Sequence, residues 1–129
     1  MKRFLILVTV VMVATCLFAG CVREVKTYID SGQTINIGVN QEFVIALGAN
    51  PTTGYDWEVS LDETILELVE KTYKSAEEAE YEIVGAGGVD YFPFKALKAG
   101  ETEITMVYKR SWEEPTSQDE TKVFTVNIE

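Results

Sequence analysis

The chain is unevenly stocked with groups that could do chemistry: its 129 residues include 21 Asp and Glu, 11 Lys and Arg, the two cysteines Cys16 and Cys21, and no histidine. Without an imidazole, neither a Ser-His nor a Cys-His nucleophilic pair can be assembled, and zinc lacks its usual nitrogen ligand. The acids offer many carboxylate pairs, but the sequence marks none of them out by an apolar pocket that would divide it into a proton donor and a base. The densest acidic run, Glu77-Glu78-Ala79-Glu80-Tyr81-Glu82, lacks the Asp and Asn spacing of a calcium loop and reads as a solvated face. Val84-Gly85-Ala86-Gly87-Gly88 has the glycines of a phosphate loop but not its lysine, and it runs into Val89-Asp90-Tyr91-Phe92, a strand pattern where a helix is required. No metal, no cofactor and no catalysis are expected. The constrained segment is instead Asn50-Pro51-Thr52-Thr53-Gly54, which packs three turn formers into five residues ahead of Tyr55. Proline fixes φ, glycine admits positive φ, and Asn50 can bond its own backbone.

Short segments of period two must position this loop. Ile35, Ile37 and Val39 alternate with Thr34, Asn36 and Gly38, and the rhythm recurs at Phe43, Ile45 and Leu47. Beyond the loop, Tyr55, Trp57 and Val59 alternate with Asp56, Glu58 and Ser60, so Tyr55 and Trp57 are expected to face the core. Further runs centre on Phe92, Phe94 and Ala96, on Ile104, Met106 and Tyr108, and on Phe124, Val126 and Ile128. Ala99-Gly100 reads as a hairpin turn. Residues 60–74 carry mixed signals: Ser60-Leu61-Asp62-Glu63 fits a capping box, but Ile65-Leu66-Glu67-Leu68-Val69 is rich in β formers. One helical turn at 61–64 followed by a strand reconciles them. The sum is an all-β fold, an antiparallel β-sandwich of about seven strands, with Pro93 on an edge or at a bulge.

Lys2 and Arg3 lead into an apolar stretch from Phe4 to Phe18, the pattern of an export signal, and fifteen mostly apolar residues are short for a membrane span. Leu17-Phe18-Ala19-Gly20-Cys21 resembles a bacterial lipobox, which implies a signal peptide over 1–20, lipidation of Cys21, a tether over 21–32 and a folded domain over 33–129. The expected location is the cell envelope, on a membrane held through the Cys21 lipid. Loss of residues 1–20 would leave nine basic residues against 21 acidic ones, a net charge of −12. Such a charge opposes nucleic acid.

Three interruptions of the strand pattern stand apart: residues 50–54, residues 85–88, and Lys109-Arg110-Ser111-Trp112. A sandwich gathers alternate loops at one end, where they can form a composite binding edge. Singly, the first reads first as a tight hairpin connection, and the second equally as a flexible turn. Trp112 is flanked by Lys109, Arg110, Ser111, Glu113, Glu114 and Pro115, which favours a loop over the core.

Taken together, N-P-T-T-G-Y, then G-A-G-G before an aromatic strand, then K-A-L-K-A-G-E-T before an R-x-W loop resemble the chagasin-type inhibitors of papain-like cysteine proteases, from about Gln33 to the end. The resemblance implies an immunoglobulin-like sandwich, no enzyme activity, and a monomer whose loops enter a protease cleft as a three-part wedge. Asn50, Pro51, Thr52, Thr53, Gly54 and Tyr55 would form the first loop, with Thr52 nearest the catalytic pair. Gly85, Ala86, Gly87 and Gly88 would lie along the non-primed groove, and Arg110 and Trp112 would flank the primed side. Ser111 stands where the family usually has proline, which implies a looser third loop. The rival expectation is a non-inhibitory envelope binding module of the same fold.

Overall fold

The computed structural model describes residues 24–79 and 87–129. The Cys21 site, the apolar leader, Gly85 and Ala86 lie outside the described residues. Nine strands form two sheets: β1 (Lys26–Tyr28), β2 (Thr34–Ile37), β3 (Glu42–Ala49), β4 (Tyr55–Ser60), β5 (Leu66–Leu68), β6 (Thr72–Ser75), β7 (Gly88–Ala96), β8 (Gly100–Arg110) and β9 (Glu120–Ile128). One sheet runs β1-β3-β7, with β5 and β6 both paired to the far side of β7, and the other runs β2-β9-β8-β4.

Alternation dictates the core. Ile35, Phe43, Ile45, Leu47, Phe92, Phe94, Ile104, Met106, Phe124 and Val126 are buried, and Phe43 stacks on Phe94 with ring centroids 5.4 Å apart. Each fully buried side chain of this size contributes about 1.5–3 kcal/mol relative to exposure.

Several expectations need correction. The sheets are mixed, because β1 pairs parallel with β3 and β2 parallel with β9, and β1 falls inside the stretch expected to be a tether. The strands number nine among the described residues because β1 precedes the first expected strand and the 66–75 region contributes two short ones, β5 and β6, in place of one. Ala99-Gly100 is not a hairpin: β7 and β8 belong to different sheets, so this turn carries the chain across the sandwich. The capping box gives way to an Asx turn in which Asp62, not Ser60, accepts the Thr64 N–H (3.0 Å) and hydroxyl (2.6 Å), with residues 63–65 forming the turn before β5. Pro93 lies in a central strand, opposite Val44 of β3. Its carbonyl accepts the Val69 N–H at 2.9 Å, so its missing donor faces the break between β5 and β6.

Candidate functional site

Strand direction gathers the loops. Ala49, the last residue of β3, is opposite Gly88, the first of β7, and Tyr55 at the start of β4 is opposite Arg110 at the end of β8. The described residues of all three interruptions therefore emerge from one end of the sandwich. The 50–54 segment connects β3 in one sheet to β4 in the other, which excludes the hairpin reading.

Locally, Pro51–Thr53 form a single 3-10 turn with proline in its first turn, closed by Thr53 N–H to Asn50 O and Gly54 N–H to Pro51 O, each 3.2 Å. Gly54 ends it at φ 81° and ψ −5°, a left-handed conformation that disfavours any residue with a Cβ. Asn50 is the hub. Its side-chain oxygen accepts the Thr52 hydroxyl and its carbonyl accepts the Thr53 hydroxyl, both at 2.7 Å. Residues 51–53 are exposed, so a stiff tip projects into solvent.

The second loop closes against the first. A Cβ on Gly87 would lie 3.3 Å from the Asn50 side-chain oxygen, and a Cβ on Gly88 would lie 2.4 Å from the backbone carbonyl oxygen of Lys74. Only glycine allows β7 to begin so close to β6. The Gly87 carbonyl in turn accepts the Ala76 N–H at 3.1 Å.

The third loop leans on the first from the other side. Glu113 N–H donates to Arg110 O at 3.1 Å, closing a four-residue turn with Ser111 and Trp112 at its centre. Trp112 is 70% exposed, yet its ring edge covers Gly54 so closely that a Cβ there would be 2.6 Å from Trp112 Cη2. Arg110 points inward: its Nε donates to Thr53 O (3.2 Å), its guanidinium carbon lies 4.7 Å from the Tyr55 ring centroid, and its Nη1 pairs with Glu113 at 3.3 Å. Tyr55, expected in the core, is half-buried at the loop end, whereas Trp57 is buried at 6% exposure.

Two features beneath the loops are not apparent from the sequence. Tyr108 Oη accepts the Asn50 N–H at 2.9 Å, and Trp57 Nε1 donates to Gly48 O at 3.0 Å, so sheet-two aromatics hold the sheet-one root of the first loop. A tyrosine at the loop-facing end of an alternating strand was the available signal, because a buried phenol seeks a partner. On the open edge, Lys71 bridges Asp56 of β4 and the 3%-exposed Asp90 of β7, the latter at 3.3 Å. Burial raises the Asp90 carboxyl above its ordinary value, against the pull of Lys71. Burial acts to lower Lys71, but its bond to Asp56 and the Asp90 charge outweigh it and hold the ammonium above its ordinary value.

Among the described residues no group of three or more His, Cys, Asp or Glu is placed to hold a metal. The loop end presents the exposed residues 51–53, whose two threonine hydroxyls are tied to Asn50, beside the exposed indole of Trp112.

Similarity to known proteins accords with that surface. Residues 36–128 match the family described as "Chagasin family peptidase inhibitor I42". The chain is 33% identical over 100 residues to Amoebiasin-1 of Entamoeba histolytica, covering 78% of this chain and 94% of that one. It is 28% identical to Chagasin of Trypanosoma cruzi, covering 70% and 84% respectively. Among solved structures, the cysteine protease inhibitor EhICP2 from Entamoeba histolytica shares the fold, with TM-score 0.66 at 24% identity over 84% of this chain and 100% of that one. The solution structure of amebosin superposes with TM-score 0.65 at 30% identity, over 83% and 100%. By the extent of the family match and the likeness to Amoebiasin-1, this chain belongs to the chagasin family of peptidase inhibitors, not to a family of enzymes.

Proposed function

We propose that this protein reversibly inhibits papain-like cysteine proteases by filling the active-site cleft with three loops. The observation that carries the proposal is the contact of those loops at one end: Gly87 against Asn50, and Trp112 and Arg110 against Gly54 and Thr53. An inhibitor needs no chemistry of its own. It needs a complementary surface whose ordering entropy has already been lost in the free state, and the 50–54 turn meets that need through Pro51, Gly54 and the two threonine bonds to Asn50. Thr52 approaches the catalytic pair with Thr53 and Gly54 shaping the tip, residues 85–88 run along the non-primed groove, and the exposed indole of Trp112 stacks on the primed side. Interfaces of this kind bury about 1,600 Å², and aromatic anchors carry much of their energy.

Titrating papain with the purified protein tests this. One equivalent should abolish turnover with the inhibitor chain intact by mass spectrometry; undiminished turnover at micromolar inhibitor would refute it. The lipid anchor belongs to the same proposal and is supported by Leu17-Phe18-Ala19-Gly20-Cys21 behind a basic, apolar leader. In a bacterial host, labelled palmitate should be incorporated into the wild-type chain and not into Cys21→Ala. Equal labelling of both would remove the anchor.

A further inference from the structure

We infer that Tyr108 is a positioning residue for inhibition, although it lies beneath the loops and away from their exposed tips. Each step is a contact. The two threonine hydroxyls of the tip are both tied to Asn50, so the tip is only as well placed as Asn50 itself. Asn50 leaves the β3 sheet, and its N–H is held by the hydroxyl of Tyr108 on β8 of the other sheet, at 2.9 Å and 58 residues away in sequence. Tyr108 is held in turn. Its ring lies 4.9 Å from that of Trp57, its register partner on β4, and 5.3 Å from that of Tyr55. Trp57 donates to Gly48 O, two residues before Asn50, and Tyr55 carries the Arg110 guanidinium that reaches Thr53 O.

The phenol thus joins the start of the first loop, its end and the root of the third loop. This position separates it from an ordinary core tyrosine: removing the hydroxyl leaves the ring stack intact but frees the one residue to which both threonines are bonded. The loss should therefore appear as loop disorder in the free inhibitor and as faster dissociation from the protease, since affinity changes within one interface reside mostly in the off-rate.

The assignment rests on the inhibitory reading, and its test separates the two. In Tyr108→Phe, amide exchange over residues 50–54 of the free protein should accelerate and dissociation from papain should speed by about tenfold, the order expected for one lost hydrogen bond. The control is Ile128→Val, which trims the core at the opposite end, where Ile128 pairs with Gly100. It should lower the thermal midpoint without changing loop exchange or dissociation. Trp57→Phe, which removes the indole bond to Gly48, should act like Tyr108→Phe and provides a second variant if the first folds poorly.

Wild-type-like loop exchange and dissociation in Tyr108→Phe would overturn the assignment, as would equal effects from Ile128→Val. A wild-type protein that leaves papain active refutes the inhibitory reading instead. The exchange comparison then still decides whether Tyr108 orders the loop, and unchanged exchange overturns that as well.

Discussion

Gly54→Ala probes the backbone and the loop contact at once. Alanine at φ 81° occupies the left-handed region, which costs about 1–2 kcal/mol for a residue with a Cβ. The new methyl would also meet Trp112 Cη2 at 2.6 Å. That ring belongs to an exposed side chain, so it can swing aside at little cost to folding, and the stability loss should stay near the backbone figure of about 1–2 kcal/mol. The displaced indole is then out of place for the protease. An aromatic anchor is worth about 2 kcal/mol or more in such an interface, which is roughly a thirtyfold loss of affinity. Urea unfolding measures the first quantity and the inhibition constant for papain the second. The two should couple: in a Trp112→Ala background, Gly54→Ala should weaken inhibition much less than it does alone, because the indole it displaces is already gone. Equal effects in both backgrounds would show that Trp112 does not rest on Gly54, and unchanged unfolding would show that Gly54 is not left-handed.

Other expectations come from the same geometry. Ser111 is the second residue of the turn closed by Glu113 and comes after the extended Arg110, so Ser111→Pro should stabilise the fold by about 0.4–1 kcal/mol and tighten inhibition, read by melting and by the inhibition constant. Thr52→Arg should weaken inhibition strongly while the thermal midpoint stays put, because Thr52 is exposed at the tip. In carboxyl NMR titrations Asp90 should titrate above the ordinary 3.8, chiefly from burial, and Asp62 below it, chiefly from the Thr64 hydroxyl bond. The signs are opposite. Asp62 lends stability that is present above pH 3.8 and lost as pH falls through its folded value, whereas Asp90 favours the fold below its ordinary value and less so once pH passes its raised one. Lys71→Met should push Asp90 higher still, and in the wild type the stability that Lys71 provides should fade as pH rises beyond 10.5.

Much of this molecule is legible in alternation, since a strand with one face in the core writes period two into its sequence. Phe43, Phe94, Ile104 and Phe124 are buried where that rhythm places them, and Trp112 is exposed as its charged neighbours suggest. Pairing is a different matter. Nothing local to residues 26–28 or 34–37 says that they run parallel to β3 and β9, because the partner lies far along the chain. Turn chemistry likewise marks Ala99-Gly100 without saying which sheet the chain joins next. At the site, proline, glycine and asparagine announce a rigid first loop, but two of the bonds that fix it come from Tyr108 and Arg110, more than 50 residues away. Arg110 shows the limit most clearly: its type suggests an outward contact, whereas its Nε is spent on Thr53 and its plane on Tyr55.

Hydrogen exchange of the free chain against its mixture with papain tests the three-loop claim most directly. Residues 50–54, 87–88 and 111–113 should all slow together on complex formation, while the turn at 97–99 on the opposite end stays as it was. Protection confined to one loop, or centred on the 97–99 end, would contradict the account.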